Sequence, residues 1–201
     1  MIDAEGDSTI YGYQKINGKF VQTQNTTPLV LQNALRAKFG PTVTVENHGI
    51  GGADIKSAVY GLAPFYSLPL AKRLSTQPAQ IVLANYGIND SRPGNVSESD
   101  YRAALEKFVD DVRAAGETPL LEEPNPTCDV KHKNLGAYVA IMRDVATSKG
   151  VTLIAQYDYI RSLPNWKSML TDCVHPKDEL YAVKAQRESQ VLEPMVAKLQ
   201  Q

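Results

Sequence analysis

Four short segments of this chain carry side chains able to do covalent chemistry. Ser8 closes a Gly6-Asp7-Ser8 turn directly after a short run containing Ile2 and Ala4. Residues 47–54, Asn-His-Gly-Ile-Gly-Gly-Ala-Asp, form a glycine-rich turn whose backbone N–H groups would suit an anion or a developing oxyanion. Gly87-Ile88-Asn89-Asp90 follows an apolar run, and Asp172 and His175 stand three apart before the last helical pattern. Each segment alone has an ordinary reading, because Gly, Asp, Asn and Ser are turn and capping residues. Together they supply a hydroxyl nucleophile, an imidazole base, a carboxylate to orient it and amide donors for an oxyanion. That set is what acyl transfer requires.

Other chemistries fit less well. The glycine-rich turn lacks the Lys-Ser/Thr of a P-loop and does not spell G-x-G-x-x-G, which argues against nucleotide binding. The histidines form neither H-x-H nor H-E-x-x-H, so a metal-dependent hydrolase using Asp, Asn and His is disfavoured, and no metal or cofactor is expected. His48 and His132 read as surface or supporting residues, with a place on the site rim open for His48. Asp7 and Asp90 read as structural residues of their turns.

The elements that must position these groups alternate along the chain. Strands are expected at Ile2–Glu5, Thr42–Glu46, Gln80–Tyr86, Pro119–Glu123 and Val151–Gln156. Helical spacing of apolar residues covers 28–39, 100–115, 135–149 and 178–199, with Gly40, Gly116 and Gly150 at or just beyond the ends of the first three. Strands alternating with helices imply an α/β protein in three layers, α/β/α, around a parallel sheet of about five strands. Ligands of such sheets bind outside the carboxyl ends of the strands, where the strand order reverses. The chemical segments fall on those loops. With 201 residues, 43% of them hydrophobic, and no composition break, one domain spanning 1–201 is expected. Lys plus Arg (21) nearly balances Asp plus Glu (22), so no basic field attracts nucleic acid, and no apolar run is long enough to span a bilayer.

At this point the chain resembles the SGNH (GDSL-type) hydrolase family. Gly6-Asp7-Ser8 matches its first block, Asn47–Gly52 its second, Gly87-Ile88-Asn89-Asp90 its third, and Asp172-Cys173-Val174-His175-Pro176 its last, in order over residues 6–176. The resemblance implies a flavodoxin-like sheet and a serine esterase of the carboxylic ester hydrolase class. Ser8 is then the nucleophile, His175 the base and Asp172 its orienter, with an oxyanion hole from the N–H of Ser8, the N–H of Gly52 and the Asn89 amide. A small-molecule or carbohydrate ester, with a short acetyl-like acyl group, is the expected partner. Carbohydrate O-deacetylase and thioesterase specificities stay open, as does a non-catalytic carbohydrate-binding or adhesion module on the same fold. The oligomeric state is left open.

Tyr86, Asn125 and Trp166 are candidates to line the pocket, with an ordinary core role equally open for Tyr86 and Trp166. The two cysteines, Cys128 and Cys173, fall on loops that should face the same sheet edge, and a bridge between them would pin the loop carrying the base. That reading favours a secreted or periplasmic enzyme, although the first residues, MIDAEGDS, contain no signal peptide. The alternative is a pair of reduced thiols in a cytoplasmic enzyme.

Overall fold

Residues 2–6 and 81–85 are buried at every position, so these segments must be covered on both faces. The structure, a computed structural model, describes residues 1–200. Its strands are β1 (Ile2–Gly6), β2 (Tyr13–Ile16), β3 (Lys19–Gln22), β4 (Val45–Gly49), β5 (Ile81–Asn85), β6 (Thr118–Glu122) and β7 (Thr152–Ile154). Its helices are α1 (Ser8–Tyr11), α2 (Thr27–Phe39), α3 (Ile55–Tyr60), α4 (Leu70–Leu74), α5 (Glu98–Ala114), α6 (Leu135–Lys149), α7 (Tyr157–Ser162) and α8 (Asp178–Leu199).

Five strands form one parallel sheet in the order β4-β1-β5-β6-β7. In β5, Ile81 and Leu83 join the core under α2 and α8, whereas Val82 and Ala84 join the core under α3 to α6. Helices therefore cover both faces, which is why the central strands are buried throughout. The order is flavodoxin-like, with its reversal between β1 and β5. The connections leaving these two strands run to opposite sides and open a crevice at their carboxyl ends.

Departures from the sequence expectation bear on the site at β4 and at the pair β2 and β3. β4 begins at Val45 and runs through Asn47 and His48, which the sequence had placed in a turn. It is an edge strand hydrogen-bonded only to β1, so its outer side tolerates polar residues. β2 and β3 form a separate antiparallel hairpin that the apolar pattern did not announce, turning at Asn17 and Gly18, both with positive φ. Asn-Gly suits such a two-residue turn, where φ is positive at both positions.

Candidate active site

Ser8 enters the site because Asp7 caps the short helix that follows β1. The Asp7 carboxylate accepts from the Thr9 N–H at 2.8 Å, turning the chain sharply so that Ser8 opens the helix. α1 is held against the end of β4, where the Asn47 side-chain amide donates to the Ile10 carbonyl at 2.9 Å. No side chain fits at Gly49, since a Cβ there would run into the backbone nitrogen of Tyr11.

His175 comes from the tight loop before α8. That loop is closed at its base by a Leu170–Pro176 bridge and by the Thr171 N–H donating to the His175 carbonyl at 2.8 Å. His175 Nε2 lies 2.9 Å from Ser8 Oγ, and its Nδ1 lies 3.0 Å from both Asp172 oxygens. A proton on Nδ1, shared with the carboxylate, leaves the Nε2 lone pair facing the serine hydroxyl. Burial raises the Asp172 carboxyl, but the backbone N–H groups of His175 and Val174 and the His175 ring outweigh it. The group is held below the ordinary aspartate value.

The third and fourth contributors are stapled to each other. The Asn89 amide donates one hydrogen to the Ala53 carbonyl at 2.9 Å, and the Asp90 carboxylate accepts from the N–H groups of Ile55 (3.0 Å) and Gly87 (2.8 Å). These bonds join the loop after β5 to the loop after β4, so Gly52 and Asn89 move together. Gly52 sits at φ +86°, a left-handed conformation that glycine adopts without penalty. Burial pushes Asp90 up to about 8 against the pull of its backbone donors, consistent with a structural role. Among the described residues, the N–H groups of Ser8 and Gly52 donate to no protein group, and Asn89 Nδ2 keeps its second hydrogen free.

Ser8, Gly52, Asn89 and His175 line one cleft of about 310 Å³. Its remaining walls include two aromatic residues of the hairpin, Tyr13 and Phe20, which the sequence reading missed. The Phe20 ring meets the His175 ring edge-on at 5.0 Å, and Tyr13 does so at 6.4 Å. The available signal was Asn17-Gly18 between two short runs that each carry an aromatic residue.

The three pocket-lining candidates lie elsewhere. Tyr86 is fully buried and hydrogen-bonds Tyr66 at 2.8 Å, because residues 82, 84 and 86 share one strand face, and that face is core. Asn125 is also buried, and its amide donates to the Val174 carbonyl at 3.1 Å, which holds the His175 loop from beneath. Trp166 lines a separate depression with Pro126, Cys128 and Arg161. Cys128 and Cys173 form a disulfide, accompanied by a Cys128 N–H bond to the Cys173 carbonyl at 2.9 Å.

The other histidines are accounted for by structure. His132 Nδ1 meets the Ile88 carbonyl at 2.8 Å, supporting the Asn89 loop. His48 pairs with Asp3 at 2.6 Å across β4 and β1, beside Glu5, which pairs with Arg73. Asp3, Glu5 and His48 lie close enough to share a metal ion, but Arg73 and His48 already balance the two carboxylates.

Residues 4–183 match the model of the GDSL-like lipase/acylhydrolase family. No curated protein matches the sequence significantly. Among solved structures, a lipase/acylhydrolase from Enterococcus faecalis superposes with a TM-score of 0.76 at 17% identity, over 96% of this chain and 95% of that one. A carbohydrate acetylesterase family member from Sinorhizobium meliloti gives 0.76 at 20% identity over 98% of both chains. The aryl esterase of M. smegmatis gives 0.74 at 13% identity, over 96% of this chain and 98% of that one. At such identities the superpositions establish a shared fold.

Proposed function

The chain belongs to the GDSL-like lipase/acylhydrolase family, and from that premise we propose that it is a serine-dependent esterase cleaving short-chain acyl esters through an acyl-enzyme. The observation that carries the reading is the unbroken chain Ser8–His175–Asp172, with Nε2 at 2.9 Å from Oγ, beside three unspent amide donors. Ser8 Oγ attacks the ester carbonyl as His175 takes its proton. The carbonyl oxygen, now anionic, is held by the N–H groups of Ser8 and Gly52 and the amide of Asn89, whose neutral NH₂ donates without a charge to desolvate. His175 returns the proton to the departing alkoxide. Water then repeats the attack on the acyl-enzyme with His175 again as base.

The leaving alcohol must approach Nε2 to receive its proton, which places it beside Phe20 and Tyr13, the rings that flank His175. An aromatic wall suits the apolar face of a sugar ring or an aryl alcohol. The cleft, about 310 Å³, lies at the small end of ligand sites, which supports an acetyl-sized acyl group over a long chain. Carbohydrate acetyl esters are therefore the first substrates to test, in keeping with the name of the Sinorhizobium meliloti neighbour. The disulfide supports residence in an oxidising compartment, outside the cytoplasm.

The test is hydrolysis of 4-nitrophenyl acetate with and without EDTA. We expect turnover that survives chelation and is abolished in Ser8→Ala and His175→Ala proteins whose circular dichroism is unchanged. Activity retained above a few per cent by Ser8→Ala would overturn the serine mechanism.

A further inference from the structure

Arg92 stands apart from every other arginine in the chain. Arg36 and Arg113 hydrogen-bond backbone carbonyls, and Arg73, Arg102 and Arg143 pair with carboxylates. Arg161 lies over the Tyr157 ring, and Arg187 both lies over Tyr159 and donates to the Ala155 carbonyl. Among the described residues, the Arg92 guanidinium has no hydrogen bond, ion pair or aromatic partner, yet Arg92 lines the cleft that contains Ser8 and His175.

Its backbone is nevertheless firmly placed. Arg92 ends the turn that begins at Asn89, its N–H donating to the Asn89 carbonyl at 3.2 Å and its own carbonyl accepting from the Asn95 N–H at 3.0 Å. The Asn95 amide closes the same loop onto the Asn89 carbonyl at 2.9 Å, and Pro93 restricts the chain immediately after. The held backbone fixes the root of an exposed, free guanidinium, whose planar fork of N–H donors matches a planar anion.

The charges around it leave that fork open. Among the described residues, Arg92 is the only permanently charged one lining the cleft. Asp7 and Asp90 are sealed in the interior, and the Asp172 carboxylate is engaged by His175. On the hairpin, Lys15 Nζ lies 5.7 Å from the centroid of the Phe20 ring, outside the lining itself. A cleft lined by one free cation and no free carboxylate favours substrates that bring an anion.

Building on the esterase reading, we infer that Arg92 is a specificity residue: the natural ester carries a carboxylate, on its acyl or its alcohol part, that the Arg92 guanidinium binds. Candidates by chemistry are hemiesters of dicarboxylic acids and O-acyl groups on acidic sugars or hydroxybenzoates.

The experiment compares kcat/KM for 4-nitrophenyl acetate, for 4-nitrophenyl hemiglutarate (carboxylate on the acyl part) and for 4-acetoxybenzoate (carboxylate on the alcohol part). It uses the parent protein and the variants Arg92→Gln, Arg92→Glu and Arg92→Lys. The readout is the ratio of each carboxylate ester to the neutral one, which a merely structural effect would not move. For one carboxylate ester the ratio should fall about tenfold in Arg92→Gln, further in Arg92→Glu and least in Arg92→Lys. In the parent it should also fall as salt is raised. The ester that responds identifies the side of the bond that carries the anion. Ratios within twofold of the parent for both esters in every variant overturn the inference while leaving the esterase reading intact. Absence of turnover of all three esters by the parent removes that reading and this inference with it.

Discussion

The hydrogen bond from Asn89 Nδ2 to the Ala53 carbonyl spends one donor to aim the other, and its value lies in that geometry. Replacing Asn89 with Ala should lower kcat by about 10²–10³, with a smaller change in KM, because the donor acts on charge that develops only in the transition state. Asp172→Asn should cost about 10³–10⁴ in kcat, since an amide in place of the carboxylate favours the wrong imidazole tautomer. Steady-state kinetics on a chromogenic acetate check both, and a loss below tenfold for either would remove that residue from its assigned role. At this scale the polar residues were readable from the sequence because turns at strand ends concentrate them. For Tyr86 pocket and core stayed equally open, although the parity that places Val82 and Ala84 in the core also places Tyr86 there. Asn125 could not be read, because its partner, the Val174 carbonyl, is 49 residues away along the chain.

Between elements, the junction of β4 and α1 is held by contacts that leave no room for change. Gly49→Ala would press a methyl onto the backbone nitrogen of Tyr11, and backbone cannot retreat as a flexible side chain can. The expected outcome is a loss of about 1–3 kcal/mol in chemical unfolding, as for overpacking elsewhere, accompanied by lower activity as Ser8 shifts with α1. Stability within 0.5 kcal/mol of the parent would show that the junction can relax. β4 and β1 are also tied by His48 and Asp3. The hydrogen bond to Asp3 raises the His48 pKa above 6.5, with burial opposing. A base whose pKa is raised by folding contributes stability that is complete below its unfolded value and lost as pH rises through the folded one. The melting temperature should therefore fall as pH rises above 6.5 through the raised folded value, and His48→Gln should flatten that slope. The difference should stay below about 1 kcal/mol, because a third of the ring is open to water. Identical slopes in the two proteins would count against the pair. The sheet elements were legible because burial on both faces demands apolar residues. The hairpin was not, since β3 is exposed throughout and no apolar face marks it. Its aromatic residues are placed by the site and not by the core.

For the molecule as a whole, the parallel order of the sheet and its crevice followed from the alternation of elements. The interior beneath α8 did not. Lys184, Glu122 and Glu188 are all buried there, with Lys184 Nζ 3.9 Å from a Glu122 oxygen. Burial, and then the charge of Glu122, pushes the Glu188 carboxyl well above its usual range. On a sequence, Lys184 and Glu188 read as a solvated helix face, and only the strand packed against them reveals otherwise. The Cys128–Cys173 disulfide joins two strand-end loops 45 residues apart and should stabilise by about 4 kcal/mol in the chain-entropy view. It also closes a covalent ring around residues 128–173, which contains Asp172 but neither Ser8 nor His175. Lys167 is exposed within that ring, in the short 3-10 helix Trp166–Met169, and is one of the sites it offers to trypsin. The cut divides the polypeptide without separating it: the piece bearing His175 stays tethered to the piece bearing Ser8. Cut at Lys167 alone, the protein should run as one full-length band without reductant and as two fragments with it, and activity should outlast the nick until the sulfur link is reduced. A chain oxidised in this way can be broken in its backbone among proteases and still keep Ser8 and His175, the proposed catalytic pair, on one molecule.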